Sequence, residues 1–249
     1  MDNQSILNSS TINLRPNIAF AGRTAAGKTT HAKILADELG YEYVSATQMI
    51  LDILNMKDTP NGIWFTKYNE IQKHREGDLV DIELENRMTR LANSRGGLVL
   101  DTWAMAWLYE GSTPMIRLWI ESDIPSRTRK CYVSQGKDKK LTISKCQKLI
   151  NKKDNDTRNN FLRRLDFDLY TDREKYDIIL DNSILIPKPS QKMANIGIAK
   201  FAPVIRKTIE YMLNKHRHSN FDNNKRQAKQ LILTNNELIK KLDGVTNDK

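Results

Sequence analysis

An α/β fold, a parallel sheet with helices on both faces, is predicted by three observations. Short, mostly apolar runs, IAFA (18–21), LVL (98–100), MIRLWI (115–120) and YDIIL (176–180), alternate with longer segments of helical periodicity. These runs lack a polar face, as expected of strands buried on both sides. The first of them leads directly into a glycine-bounded loop and then into an amphipathic segment.

That loop, Gly22-Arg23-Thr24-Ala25-Ala26-Gly27-Lys28-Thr29, has the spacing G-x-x-x-x-G-K-[ST] of a phosphate-binding loop. Gly22 and Gly27 let the backbone curl without a Cβ clash, which turns the loop N–H groups inward toward phosphate oxygens. Lys28 places a point charge against the β- and γ-phosphates, and the Thr29 hydroxyl is a Mg²⁺ ligand. The helix that follows adds its positive end at the same place. The fold class is therefore the P-loop NTPase type. Its expected phosphate contacts are Gly22, Thr24, Ala25, Ala26, Gly27, Lys28, Thr29 and Thr30.

The elements follow in order. Residues 1–16 are polar, end at Pro16 and read as a flexible lead-in without the apolar core of a secretory signal. Residues 17–21 form the first strand. Thr30 to Leu39 continues the helix, with Ala32, Leu35, Ala36 and Leu39 on one face, and stops at Gly40. EYVS (42–45) is a second strand and 46–55 a helix. Residues 57–77 are polar and irregular, with an aromatic cluster of Trp64, Phe65 and Tyr68, and are expected to be partly helical and to cover a ligand. Residues 78–93 form a helix with an acidic first turn, which suits its dipole. The strand LVLD (98–101) ends in an acid, 102–109 is a short helix, and 115–120 is another strand. A basic stretch follows, with Arg127, Arg129, Lys130, Lys137, Lys139 and Lys140. Residues 142–165 read as one or two charged helices, and 176–180 as the last core strand. Pro187 and Pro189 mark a linker to two helical stretches, 191–215 and 225–242.

The chain has 249 residues, enough for one α/β domain with appendages. Its net charge of +10 points to an anionic ligand or partner: nucleotide, nucleic acid or an acidic surface. Cys131 and Cys146 have neither metal-ligand spacing nor a disulfide framework, which fits a reducing, cytoplasmic setting. No run approaches the roughly 20 apolar residues needed to cross a bilayer.

A phosphate loop needs a second acid for the Mg²⁺ shell, and Asp101, at the end of LVLD, has that form. Cations must also close over the γ-phosphate. Arg127, Arg129 and Lys130 are the first candidates, and Arg158, Arg163 and Arg164 the second, because an arginine fork suits phosphate oxygens. Asn151-Lys152-Lys153-Asp154 matches the guanine-reading N-K-x-D, but it follows a segment of helical spacing and no D-x-x-G follows Asp101. A GTPase is excluded on that ground. The histidines carry no metal signature; Trp103, Trp107 and Trp119 read as core, and Trp64 and Tyr68 as stacking candidates.

From Asn17 to Asn182 the chain resembles the cytidylate kinase-like nucleoside monophosphate kinases, in the short form seen in archaea. Residues 18–39 look like the family's phosphate loop and helix, 41–46 like its second strand, 78–91 like its acidic helix and 98–101 like its strand ending in an acid. Arg127 falls where the family has an arginine at the start of the lid, and LDFD (165–168) with YDIIL resembles its closing segment. The resemblance implies a core over 17–186, an acceptor-binding segment over 46–95 and a lid over 122–165, followed by a C-terminal helical extension, 187–249. The departures lie on the acceptor side. Thr47 to Leu51 lacks the family's acceptor arginine, and Trp103 stands near the place of a second. Lys130, Ser134, Lys153 and Asn160 replace lid arginines; these exchanges are not conservative. Lys67, Lys73, His74 and Arg75 are candidates for a different acceptor clamp.

The expected function is an ATP- and Mg²⁺-dependent phosphotransferase with an acceptor other than CMP in the usual pose. Its expected catalytic residues are Lys28, Arg127, Arg129 and Arg158, and its metal ligands Thr29 and Asp101. A kinase acting on an RNA end or a small alcohol keeps the enzyme and changes the acceptor. A nucleotide-binding module that recognises RNA or a protein is the alternative from another class. No membrane partner is expected, and the chain is expected to be a monomer or a homodimer.

Overall fold

The first strand sets the layers. In a computed structural model describing residues 15–58, 67–135, 141–218 and 231–233, β1 (Asn17–Gly22) is buried along its whole length. Side chains alternate across a strand. Ile18 and Phe20 accordingly enter one core, and Ala19 and Ala21 enter two clusters on the opposite face.

The chain continues through α1 (Lys28–Leu39), β2 (Glu42–Ser45), α2 (Ala46–Ile53), α3 (Tyr68–His74), α4 (Leu79–Ser94), β3 (Leu98–Asp101), α5 (Met105–Leu108) and β4 (Met115–Glu121). It ends with α6 (Ile124–Ser134), α7 (Ile143–Leu165), β5 (Ile178–Asp181), α8 (Gln191–His218) and β6 (Leu231–Leu233). The strands form one sheet in the order β2-β3-β1-β4-β5-β6, and every pairing is parallel. Helices α1 and α8 cover one face, where Leu35, Phe201, Ile205 and Ile209 pack on Ile18, Phe20, Leu118 and Ile178. On the other face, Met88 of α4 and Met105 of α5 pack on Ala19, Leu98 and Leu100. Beside them Phe161 of α7 joins Trp119, Tyr170 and Tyr176. In such sheets ligands bind outside the carboxyl ends of the strands. Here those ends bring together Gly22, Ser45, Asp101, Glu121 and Asp181.

One element differs from the sequence reading, and two that it left open are settled. The predicted helix over 225–242 contributes, among the described residues, the strand β6, paired Ile178↔Leu231 to Leu180↔Leu233. Without it β5 would present an open sheet edge, and a three-residue apolar run carries too little periodicity to be told from a helix. The basic stretch after β4 is a helix, α6, started by Asp123, whose carboxylate accepts from Ser126 N (2.7 Å), with Pro125 in its first turn. The two-helix option for 142–165 resolves into the single helix α7, capped by Thr142. Residues 1–14, Trp64 and Phe65, and Lys137, Lys139 and Lys140 lie outside the described residues. Among the described residues no helix is long and apolar enough to cross a membrane.

Asn17 joins the sheet to α4. Its buried amide donates to Ala92 O (2.9 Å) and Arg95 O (3.1 Å) and accepts from Leu98 N (3.0 Å). Asn17→Ala orphans buried partners and is expected to destabilise the fold by roughly 2–4 kcal/mol in urea titrations; a loss under about 1 kcal/mol would show that these bonds are replaceable.

Candidate active site

The loop between β1 and α1 is held in a strained curl. Gly22 has φ 150°, and a Cβ there would lie 2.6 Å from Ile120 O of β4. Gly27, at φ 100°, occupies the left-handed region, and so does Ala25 at φ 61°. A non-glycine residue in that region costs free energy, and the cost marks a functional site. Ala26 N donates to Arg23 O (3.1 Å). No side chain caps the start of α1, and Lys28, Thr29 and Thr30 of its first turn line the cavity beside the loop. Lys28 Nζ folds back over the loop to Arg23 O (3.0 Å). Burial holds its pKa below the usual lysine value, against the opposing pull of Asp101 and Asp154.

Asp101 sits where the sequence reading put it. Its Oδ2 accepts from Thr29 Oγ1 (2.5 Å) and from Tyr43 OH (3.1 Å). A hydroxyl and a carboxylate in contact beside a phosphate loop are hard oxygen donors of the kind Mg²⁺ takes, with phosphate oxygens and water completing its shell. The residues present therefore fit that ion.

A cavity of about 750 Å³ opens on this loop. Thr24 to His31 line its centre. Toward α8 it is bounded by Lys130, Asn182, Leu185, Ile186 and Ala194. Lys130 Nζ donates to Ser122 Oγ (2.9 Å), Ala26 O (3.4 Å) and Asn182 Oδ1, while Asn182 Nδ2 donates to Ala26 O (2.8 Å). Toward α2, α4 and α7 the cavity is lined by Ser45, Gln48, Arg75, Asp81, Glu85 and Arg164. Between the two ends stands Trp103. Its Nε1 donates to Gly22 O (2.7 Å), and Lys28 Nζ and Lys153 Nζ lie 5.3 Å and 5.8 Å from its ring centre. Burial lowers the pKa of both Lys130 and Lys153 to about 7. His31, also at the cavity, packs edge-on against Phe201 and is driven down to about 4 by burial.

The predicted cations are redistributed. Arg127 is buried beneath the loop. Its guanidinium meets Asp154 Oδ2 (2.5 Å), Thr24 O (3.2 Å) and Ser122 O (3.1 Å). Arg129 donates to Ile186 O (2.5 Å) and Ser126 Oγ (3.1 Å), and Arg158 holds Asp168 at 2.5 Å on the surface. None of the three lines the cavity; each is engaged with protein groups and not placed at the loop's open side. A buried guanidinium needs partners for its donors, and two carbonyls and one carboxylate engage Nε and Nη1 of Arg127 here. Lys67 pairs with Glu70, and Lys73 and His74 are exposed; of that group only Arg75 reaches the cavity. Tyr68 gives its hydroxyl to Asp156 (2.7 Å) and does not line the cavity. Trp103, assigned to the core, lines it instead.

Asp154 was dismissed with the N-K-x-D segment and is the residue sequence reasoning missed most completely. From α7 its carboxylate accepts Thr24 N (3.0 Å), Arg127 and Tyr170 OH (3.3 Å). Its only signal was an acid at an apolar position of a charged helix. Asn182, straight after β5, had a clearer signal, as a polar residue at the carboxyl end of a core strand.

With this geometry in place, the profile of the cytidylate kinase-like family matches residues 17–184. The chain belongs to the cytidylate kinase-like family. It is 24% identical over 186 residues to a cytidylate kinase of Natronomonas pharaonis, covering 75% of this chain and 91% of that one. With a cytidylate kinase of Halobacterium salinarum it shares 23% over 151 residues, 61% of this chain and 74% of the relative. Among solved structures, an uncharacterized protein from Eubacterium ventriosum aligns with a TM-score of 0.54 at 16% identity, over 79% of this chain and 99% of that one. That likeness concerns the fold. As a member of the cytidylate kinase-like family the chain is a kinase of the nucleotide or nucleoside type.

The buried ion pair under the loop and the surface arginine make opposite predictions. Arg127→Leu leaves Asp154 buried and unpaired, and is expected to cost about 3–5 kcal/mol in chemical denaturation. Arg158→Ala is expected to leave both the denaturation midpoint and the affinity for ATP within error, because the Arg158 side chain is half exposed and Asp168 keeps its backbone partner Tyr170 N. A large loss of ATP affinity in Arg158→Ala would return that residue to the site.

Proposed function

We propose that the chain transfers the γ-phosphoryl group of ATP, with Mg²⁺, to an acceptor held between α2, α3, α4 and α7. The observation that carries this reading is one cavity with two differently built ends, joined at the loop that carries Lys28, Thr29 and the neighbouring Asp101. The name cytidylate kinase, carried by the relatives, makes CMP the reference acceptor to test.

The roles follow from placement. The loop amides and Lys28 bind the donor phosphates, and Thr29 and Asp101 hold the metal. Bound Mg²⁺ supplies charge neutralisation and orients the β- and γ-phosphate oxygens. Lys130 and Lys153 replace Arg129 and Arg158 as the cations over the transferring group, because both line the cavity. Residues 46–95 act as the acceptor segment and 122–165 as the lid, which excludes water and so limits hydrolysis of ATP. The absence of an apolar spanning helix among the described residues is compatible with a cytoplasmic enzyme.

Two measurements test this reading. Isothermal titration with Mg·ATP should give a heat that is lost in Lys28→Ala, and any phosphoryl transfer should fall by about 10²-fold or more in that variant. Binding that survives the substitution would overturn the donor assignment. The second measurement concerns pH. Lys130 and Lys153 are held near 7, and phosphate binds their charged forms. Affinity should therefore be fullest below pH 7 and decline as the pH rises through 7 to 9. At pH 7.5, titrations in buffers of different ionisation enthalpy should show proton uptake on binding. Constant affinity from pH 6 to 9 would contradict the placement of these lysines at the phosphates.

A further inference from the structure

The carboxylate of Asp101 is held by two donors on one oxygen. Thr29 Oγ1 lies 2.5 Å from Oδ2, and Tyr43 OH lies 3.1 Å from the same atom. An ionised carboxylate only accepts, so both hydroxyl protons point at Asp101. Each carboxylate oxygen offers about two lone-pair sites, and Thr29 with Tyr43 fills those of Oδ2. The described residues make no other hydrogen bond to this side chain. Lys28 and Lys153 act on it through charge.

The fold brings Tyr43 to this point. In the parallel pairing of β2 with β3, Tyr43 stands opposite Val99 and Ser45 opposite Asp101. The tyrosine ring spans that step and delivers its hydroxyl to the acid at the strand end. The ring packs against the core that α1 covers. Thr29 and Lys33, one turn apart on α1, both meet it. Thr29 shares its acceptor, and Lys33 Nζ lies 5.3 Å from its ring centre. Tyr43, Lys33, Thr29 and Asp101 all line the cavity. The ring supplies packing, and the hydroxyl is directed at Asp101.

We propose that Tyr43 is a positioning residue for the metal, one that locks the Asp101 carboxylate through Oδ2 and leaves Oδ1 and the Thr29 oxygen open to Mg²⁺. This rests on the donor-site reading above. Thr29 gives its one proton to Asp101, so its lone pairs are left for a hard cation. The torsion that turns the two oxygens of an aspartate is soft. Held by Thr29 alone, the carboxylate can swing about that bond; held by Thr29 and Tyr43 from two elements, it cannot. Groups that orient a metal's partners in this way change metal affinity without touching the metal.

The test measures how strongly the metal tightens nucleotide binding. Isothermal titration of the full chain with the non-hydrolysable donor AMP-PNP gives one Kd in EDTA and one in saturating Mg²⁺, and the ratio of the first to the second is the coupling between protein and metal. Tyr43→Phe keeps the ring; it should lower this ratio by about 10-fold and leave the Kd in EDTA within error. Asp101→Ala should lower the ratio at least as far. Adding Tyr43→Phe to Asp101→Ala should lower it no further, because the tyrosine acts through that carboxylate. An unchanged ratio in Tyr43→Phe, or equal losses in EDTA and in Mg²⁺, overturns the proposal and makes Tyr43 a packing residue. A further loss in the double variant overturns it too, as does a natural chain whose affinity Mg²⁺ does not alter. In each of those cases Lys28-dependent binding of AMP-PNP leaves the donor reading standing. AMP-PNP that fails to bind in a Lys28-dependent manner removes that reading, and the proposal with it.

Discussion

The site depends on one buried carboxylate. Asp154 projects from α7 and accepts the backbone N–H of Thr24 in the phosphate loop, the guanidinium of Arg127 from α6 and the hydroxyl of Tyr170. Three segments far apart in sequence meet on its two oxygens. A carboxylate buried this deeply is tolerated only when it is paired and hydrogen-bonded. The same need that makes Arg127 its partner ties both α6 and α7 to the loop. Arg127 also holds Thr24 O, so the loop is gripped through both the N–H and the carbonyl of one residue. The strain at Ala25 is stored between this anchor and the start of α1, consistent with the rule that such backbone persists only where its surroundings over-determine it.

That anchor also explains the division of the cations. Arg127, Arg129 and Arg158 lie outside the cavity lining, and the cations beside the phosphate loop are lysines. Lysine presents a compact charge whose pKa shifts readily on burial. Burial lowers the pKa of Lys130 and Lys153 to about 7. On the proposed reading, a triphosphate beside them would favour their charged forms. At the other end, ion pairs between arginine and carboxylate neutralise one another before any ligand arrives.

Much of the fold could be read from the chain because its causes are local. The strand, the curled loop and the helix at 17–39 follow from apolar runs, from glycines at fixed offsets and from Gly40 at the helix end. The partnership of Thr29 with Asp101 follows from the loop's need for a second acid. Features created by tertiary contact were hidden. The strand at 231–233 exists because β5 offers it an edge. Arg127, Arg129 and Arg158 have the chemistry of phosphate ligands, and only packing shows that Asp154, Ile186 and Asp168 have already engaged them. Trp103 has the composition of a core residue, and at the cavity its Nε1 donates to Gly22 O while its ring packs beside the Phe161 cluster. Asp154 carried the weakest signal and holds the most together.

The most direct measurement of this account is a crystal structure of the full chain with Mg²⁺ and AMP-PNP. It should show the triphosphate wrapped by the amides of residues 24–30, the metal touching Thr29 and close to Asp101, and the ammonium groups of Lys28, Lys130 and Lys153 on phosphate oxygens. Arg127 should still be paired with Asp154 under the loop. A triphosphate bound elsewhere, or Arg127 swung out of its pair to grip the γ-phosphate, would contradict the claim that this arginine builds the loop and the lysines serve it.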